Sequence, residues 1–168
     1  MTGHQRAKDS SGDQHADPGG SHLDAVGKAI IAQLQQDGRR TYAAIGAEVG
    51  LSEAAVRQRV QRMIKSGLIQ IVAVTDPAHV GFSRQAMVGI RAEGNLDRIV
   101  TALARLPEVD YVVVTAGSFD ILAEVVCEDD DGLFTLLNEQ IRGIDGVRST
   151  ESFVYLKLAK QTYAWGTR

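Results

Sequence analysis

The hydrophobic period of this chain changes once, near residue 76, and that change limits the fold more than any other feature. Before it, apolar residues recur at helical spacing; after it, alternating strand patterns and helical patterns take turns. Leu23, Val26, Ile30 and Leu34 fall on one face at i, i+3, i+7 and i+11. Gln35-Gln36-Asp37-Gly38 ends that helix, with Gly38 expected as a left-handed cap. Thr41 can cap a short helix from Tyr42 to Val49, with Ala44, Ile45 and Val49 turned inward. Gly50-Leu51 interrupts it, Ser52 caps a third helix running to about Lys65, and Gly67 supplies its stop. Three short helices with a tight glycine turn between the second and third predict a helix-turn-helix. The next stretch, LIQIVAV (68–74), has a strand pattern that can supply the β-wing of a winged version.

Asp76-Pro77 and Gly81 mark a linker. Beyond them the pattern predicts strand (Gln85–Arg91), helix (Leu96–Leu106), strand (Val109–Thr115), strand (Ile121–Cys127), helix (Leu133–Ile141) and strand (Val147–Leu158). This βαββαβ order is the split βαβ, or ferredoxin-like, arrangement. Ala116-Gly117-Ser118 has hairpin chemistry, so the second and third strands should be antiparallel neighbours. The expected fold class is therefore α+β, a winged helix-turn-helix followed by a ferredoxin-like α/β sandwich. The expected divisions are a disordered tail (1–21), a helix-turn-helix domain (22–75, wing and linker to about 82), a second domain (83–160) and a C-terminal extension (161–168).

Composition excludes several classes. No apolar run approaches the roughly 20 residues that span a bilayer, and the first twenty residues contain no secretory-type apolar stretch. Cys127 stands alone, so no intrachain disulfide can form, and a reducing compartment such as the cytoplasm is expected. The net charge of −3 conceals an asymmetry. Residues 21–70 hold seven basic and four acidic side chains, whereas residues 71–168 hold nine and fourteen. A basic segment beside an acidic one suits a polyanion-facing domain joined to a domain with another task.

The third helix carries the most chemistry. At about 100° per residue, Val56, Val60 and Met63 form its buried ridge, with Ile64 at the edge. Its opposite face presents Ala54, Gln58, Gln61, Arg62 and Lys65, flanked by Arg57 and Ala55. Small alanines let the helix approach bases, Gln58 can pair with adenine, and Arg57 or Arg62 can reach guanine or phosphate. Ser52 and the helix N-terminus can grip a phosphate, and Arg39 and Arg40 can add backbone contacts. Arg59 lies near the buried edge, where an ion pair with Glu48 or another acid competes with a DNA contact. The alternative for the whole face is a solvated amphipathic helix with ordinary surface arginines.

With LDAVGKAIIAQLQQDGR (23–39), VGLSEAAVRQRVQRMIKSGLI (49–69) and Ala116-Gly-Ser-Phe-Asp120 at the central hairpin, the chain resembles the Lrp/AsnC regulators of bacteria and archaea. These are the leucine-responsive, or feast/famine, transcription factors, and the likeness spans residues 22 to 160. The resemblance implies a winged helix-turn-helix joined to a ligand-sensing (RAM-type) domain. It also implies a cytoplasmic, nucleoid-associated homodimer that assembles into octamers, binds a roughly palindromic double-stranded operator, and answers to an amino acid. The sensing site it implies surrounds Gly117, Ser118, Phe119 and Asp120, with hydroxyls from Thr150 and Ser152. Turn N–H groups there suit a carboxylate, and Asp120 or the hydroxyls suit an ammonium group. The family carries an acidic residue where this chain has Ser118.

Catalysis finds little support: His79 and Cys127 have no evident base or metal partner in the sequence, and no cofactor or metal is expected. Two alternatives remain. One is a tetrapyrrole (sirohaem) decarboxylase-like enzyme on the same architecture, and the other an amino-acid-sensing module that does not bind DNA.

Overall fold

Asp24 opens the first helix by accepting the Gly27 N–H at 2.7 Å, the usual way a short polar side chain satisfies an orphan helix donor. The computed structural model describes residues 23–164 together with Gly166 and Thr167. The N-terminal tail, and Trp165 and Arg168 of the C-terminal extension, lie outside the described residues. Two compact units divide the chain, one reaching Ile71 and taking in the chain end from Tyr163, the other spanning Val72–Thr162.

The first unit contains α1 (Ala25–Gln36), α2 (Tyr42–Val49) and α3 (Glu53–Lys65). Thr41 and Ser52 cap α2 and α3 through the Ala44 and Ala55 N–H groups. Gly50, at φ 72°, closes α2 in the left-handed region where a side chain would be strained. Ile30, Ile31, Ile45, Val56, Val60 and Met63 form the core, ringed by Leu23, Val26, Leu34, Tyr42, Val49, Leu51 and Ile69. Two details depart from the sequence expectation. The cap of α1 is Asp37 in extended geometry, and Gly38 is not left-handed. Ala44 faces solvent, because the buried stripe of α2 is Tyr42, Ile45, Gly46 and Val49, the i, i+3, i+4, i+7 set.

The expected wing does not form as paired strands. Residues 68–74 pair with no strand among the described residues, and Leu68, Ile71, Val72 and Val74 are exposed. A wing needs two strands that bond to each other, and this segment is followed instead by a single 3-10 turn (Pro77–Val80). The next strand then belongs to the second unit.

That unit is built from β1 (Arg84–Ala92), α4 (Leu96–Leu103), β2 (Val109–Val114), β3 (Ile121–Cys127), α5 (Asp130–Thr135, continuing as a π-turn through Ile141) and β4 (Val147–Val154). The sheet order is β2-β3-β1-β4 with every neighbour antiparallel, as the βαββαβ reading requires. Ala86, Val88 and Ile90 of β1 and Ile121, Ala123, Val125 and Cys127 of β3 face one way. They pack against Ile99 and Leu103 of α4 and Leu133, Leu136 and Ile141 of α5. Burial of such side chains contributes about 1.5–3 kcal/mol each. Burial, and then the neighbouring Glu108 and Asp129, push the Cys127 thiol above its ordinary pKa. α4 ends at Leu103 rather than Leu106, and β4 ends at Val154 rather than Leu158.

Among the described residues, α4 and α5 both pack on one face of this sheet, and neither covers the other. The register places Met87 beside Glu124 and Phe153, Gly89 beside Leu122 and Glu151, and Val113 beside Leu122. Tyr111 and Phe153 are exposed on it.

Candidate functional site

The predicted recognition face of α3 stands clear of the core. Val56 and Val60 are fully buried and Met63 nearly so, while Ala54, Arg57, Gln58, Gln61, Arg62 and Lys65 are exposed and Ala55 is half-buried. Ser52 remains exposed at the head of the helix, its hydroxyl oxygen accepting the Ala55 N–H at 3.2 Å. The free N–H groups of the first turn and Ser52 therefore share one end with Ala54.

The acids of this unit sort its cations. Arg59 reaches back to Asp24, with Nη1 2.9 Å from Oδ2, so it ties α3 to the start of α1 rather than to Glu48. Glu48 instead takes Arg40, at 3.6 Å. Glu53 takes Arg57 one turn along α3, and the Arg57 guanidinium carbon lies 5.3 Å from the centre of the Tyr42 ring. Among the described residues, Arg39, Arg62 and Lys65 face no carboxylate within ion-pair distance. Among the described residues, the cations of the segment outside these pairs thus lie on the exposed face of α3, on the turn before α2 and, as Lys28, on α1. Sequence reasoning missed Tyr42 and Glu53. The i, i+4 spacing of Glu53 and Arg57 was a legible signal, whereas the approach of the Tyr42 ring depends on how α2 crosses α3.

The Asp24 carboxyl is held below its ordinary value of 3.8, first by the Gly27 N–H and then by Arg59. A carboxyl whose folded value lies below its unfolded value contributes stability above the unfolded value and loses it as pH falls through the folded one. Thermal melts of the parent chain and Asp24→Asn should therefore differ near neutrality and converge below pH 3.8. A difference that persists unchanged in acid would assign the effect to cap geometry alone.

In the second unit, the hairpin residues gather around β1. Phe119 packs on Gly89, where an added Cβ would come within 2.7 Å of the ring. It meets Phe153 edge-on, with centroids 6.1 Å apart. Arg91 covers the Phe119 ring at 5.3 Å, and its Nε donates to the Ser118 carbonyl at 3.0 Å. Asp120 is engaged at both ends: Oδ2 accepts the Ala92 N–H at 2.8 Å, and its own N–H donates to the Ile90 carbonyl. A Cβ added at Gly117 would meet no atom within 4 Å. Thr150 and Ser152 lie on β4 opposite Ile90 and Val88. The Thr150 hydroxyl accepts from Arg142 Nε at 2.9 Å, while Arg142 Nη1 donates to Asn138. Thus Gly117–Asp120 form one cluster with Arg91, whereas Thr150 belongs to a second, with Asn138 and Arg142. A cavity of about 540 Å³, lined by Phe82, Pro107, Glu108, Asp110, Cys127 and Asp129 among others, sits at the other end of β3 and contains none of these residues.

Comparison with known proteins agrees with both halves. Residues 23–64 match the AsnC-type helix-turn-helix domain, and residues 82–168 match a C-terminal dimeric alpha+beta barrel domain. The chain is 36% identical over 144 residues to an uncharacterized HTH-type transcriptional regulator of Pyrococcus abyssi, covering 84% of this chain and 91% of that one. It is 29% identical over 148 residues to the leucine-responsive regulatory protein of Escherichia coli, covering 85% and 90%. Among solved structures, the leucine response regulatory protein of Mycobacterium tuberculosis superposes with a TM-score of 0.75 at 29% identity, covering 83% of this chain and 96% of that one. Escherichia coli AsnC superposes at 0.72 with 26% identity, covering 84% and 97%. No described helix is long and apolar enough to cross a membrane. With a capped helix-turn-helix on one side, an antiparallel βαββαβ sheet on the other and relatives matched along both, the chain belongs to the Lrp/AsnC family of DNA-binding, oligomeric transcriptional regulators.

Proposed function

We propose that this regulator works in the cytoplasm as a homodimer that sets two copies of α3 into the major groove of a roughly palindromic operator. The observation that carries the reading is the composition of the exposed α3 face, where Gln58, Gln61, Arg62 and Lys65 stand over a fully buried Val56–Val60 ridge. Ala54, Ala55 and Arg57 complete the base-facing set. Ser52 and the first-turn N–H groups hold one phosphate, and Arg39 and Arg40 hold others. The sheet face that α4 and α5 do not cover, with Met87, Val113, Leu122, Phe119 and Phe153, supports dimerisation through the second unit. Two-fold symmetry then implies half-sites about one helical turn, or a multiple, apart.

The effector is an amino acid bound around Gly117, Ser118, Phe119 and Asp120; Thr150 and Ser152, which lie apart from that cluster within one chain, complete the site only from a neighbouring copy. The name of the leucine-responsive Escherichia coli relative supports an amino acid as the ligand class. Binding would act by favouring one assembly, such as an octamer built from four dimers, over another. Selection of bound duplexes from a random pool, with and without an amino-acid mixture, tests the scheme. Enrichment of an inverted repeat is expected, together with an amino-acid-dependent change in operator affinity or in sedimentation. Absence of any enriched sequence would retire the operator reading. Enrichment without any response to amino acids would retire the effector alone.

A further inference from the structure

We infer that Glu53 and Tyr42 gate Arg57, so that this arginine is surrendered to DNA only where the duplex can replace both of its internal partners. The inference rests on the assignment of the α3 face to DNA, and it gives that face a source of specificity. Three observations carry it. The Glu53 carboxylate accepts from Arg57 Nη2. The guanidinium also lies over the Tyr42 ring, 5.3 Å from its centre. Both charged side chains are about half exposed, 53% for Arg57 and 52% for Glu53, so a duplex can reach the pair. Tyr42, in contrast, packs against the buried core of its unit and offers a fixed platform. The other charged candidates on the α3 face, Arg62 and Lys65, face no carboxylate within ion-pair distance among the described residues.

The consequence is an exchange reaction. An unpaired arginine that neutralises a phosphate releases the cations condensed on the duplex there, and that release drives sequence-independent binding. Arg57 is neutralised by Glu53 instead, so a phosphate that takes it must displace a carboxylate and liberates fewer ions. A guanine edge can compensate with two parallel hydrogen bonds to the planar fork, whose plane the tyrosine ring orients. Arg57 therefore contributes less to random sequence and more to the correct base, which widens the ratio between the two affinities.

The full chain, a mixed-sequence duplex and a duplex recovered by random-pool selection suffice for the test, each titrated over a salt series. Glu53→Gln should tighten the mixed-sequence complex about two- to fivefold. It should also steepen the dependence of log K on log salt by about 0.9 and narrow the ratio between selected and mixed duplexes. Tyr42→Leu, which keeps apolar packing but removes the ring, should weaken the selected complex, and Tyr42→Phe should restore it. Circular-dichroism melts establish that each variant is folded.

The decisive control is Glu53→Gln in an Arg57→Ala background, where affinity and salt slope should stay put. If the glutamine still tightens binding there, the carboxylate repels DNA directly and the gate is overturned. An unchanged salt slope for Glu53→Gln in the parent background overturns it as well, as does a Tyr42→Leu variant that binds like the parent. Should Arg57→Ala and Arg62→Ala leave every complex untouched, the failure belongs to the DNA assignment of α3 itself.

Discussion

Replacing Arg57 and Arg62 together with alanine is expected to lower operator affinity by about 2–4 kcal/mol, on the order of 30- to 1,000-fold. The salt slope should flatten by roughly one unit for each arginine that meets phosphate, and less where the contact is to a base edge. Neither side chain is buried, and neither is bonded to the α1–α3 clamp that Arg59 forms with Asp24. The loss should therefore appear mainly in binding, with thermal stability falling only by the small contribution of the Arg57 contacts to Glu53 and Tyr42. Fluorescence anisotropy across a salt series, paired with melting curves, checks both halves. Affinity within twofold of the parent would remove α3 from the interface. Arg59→Ala should do the reverse, lowering stability at neutral pH while leaving the salt slope nearly unchanged.

The second large effect concerns Gly46. Its position on the buried stripe of α2 brings it against the turn, and a Cβ built there would collide with the Leu51 carbonyl oxygen. That atom is backbone in the connection between α2 and α3, so it cannot rotate away as a side chain would. Gly46→Ala should destabilise the first unit by about 2 kcal/mol, because the strain of overpacking outweighs the better helix propensity of alanine. A shift on the order of 10 °C in the melting of that unit is the corresponding expectation. Calorimetry should move the transition of the helix-turn-helix and leave that of the βαββαβ unit in place, with operator binding lost in parallel. Gly50 provides the contrast within the same turn. It has open space around it and a positive φ, so Gly50→Asn should be tolerated with a far smaller shift. Equal effects at the two glycines would show that close approach to Leu51 is not what Gly46 provides.

These expectations differ in how far they could be foreseen. The ridge Val56–Val60–Met63, the Ser52 cap and the exposed set on α3 follow from helical periodicity alone, because only one face of a short helix can be buried at a time. The antiparallel β2–β3 hairpin follows equally from two alternating runs joined by a glycine turn. The wing did not follow. The alternation in residues 68–74 describes a segment able to pair, but pairing needs a second strand, and the chain places the next one in another sheet. Ala44 faces solvent rather than the core for a related reason: in an eight-residue helix, rotating the stripe by one position leaves the apolar pattern almost as good, and contact with α1 and α3 breaks the tie.

Local periodicity, capping residues and turn glycines, all set by neighbours a few positions apart, were enough to establish the three helices, the βαββαβ order, much of the first core and the face that α3 turns outward. Partners distant in the chain were decided only by the folded backbone: Asp24 for Arg59, Tyr42 for Arg57, Phe153 and Arg91 for Phe119. The physical reason is one of range. Backbone geometry repeats every few residues and is written in order along the chain. Which side chains meet across 15 or more positions, as Tyr42 meets Arg57, depends on crossing angles and strand register that no local pattern encodes.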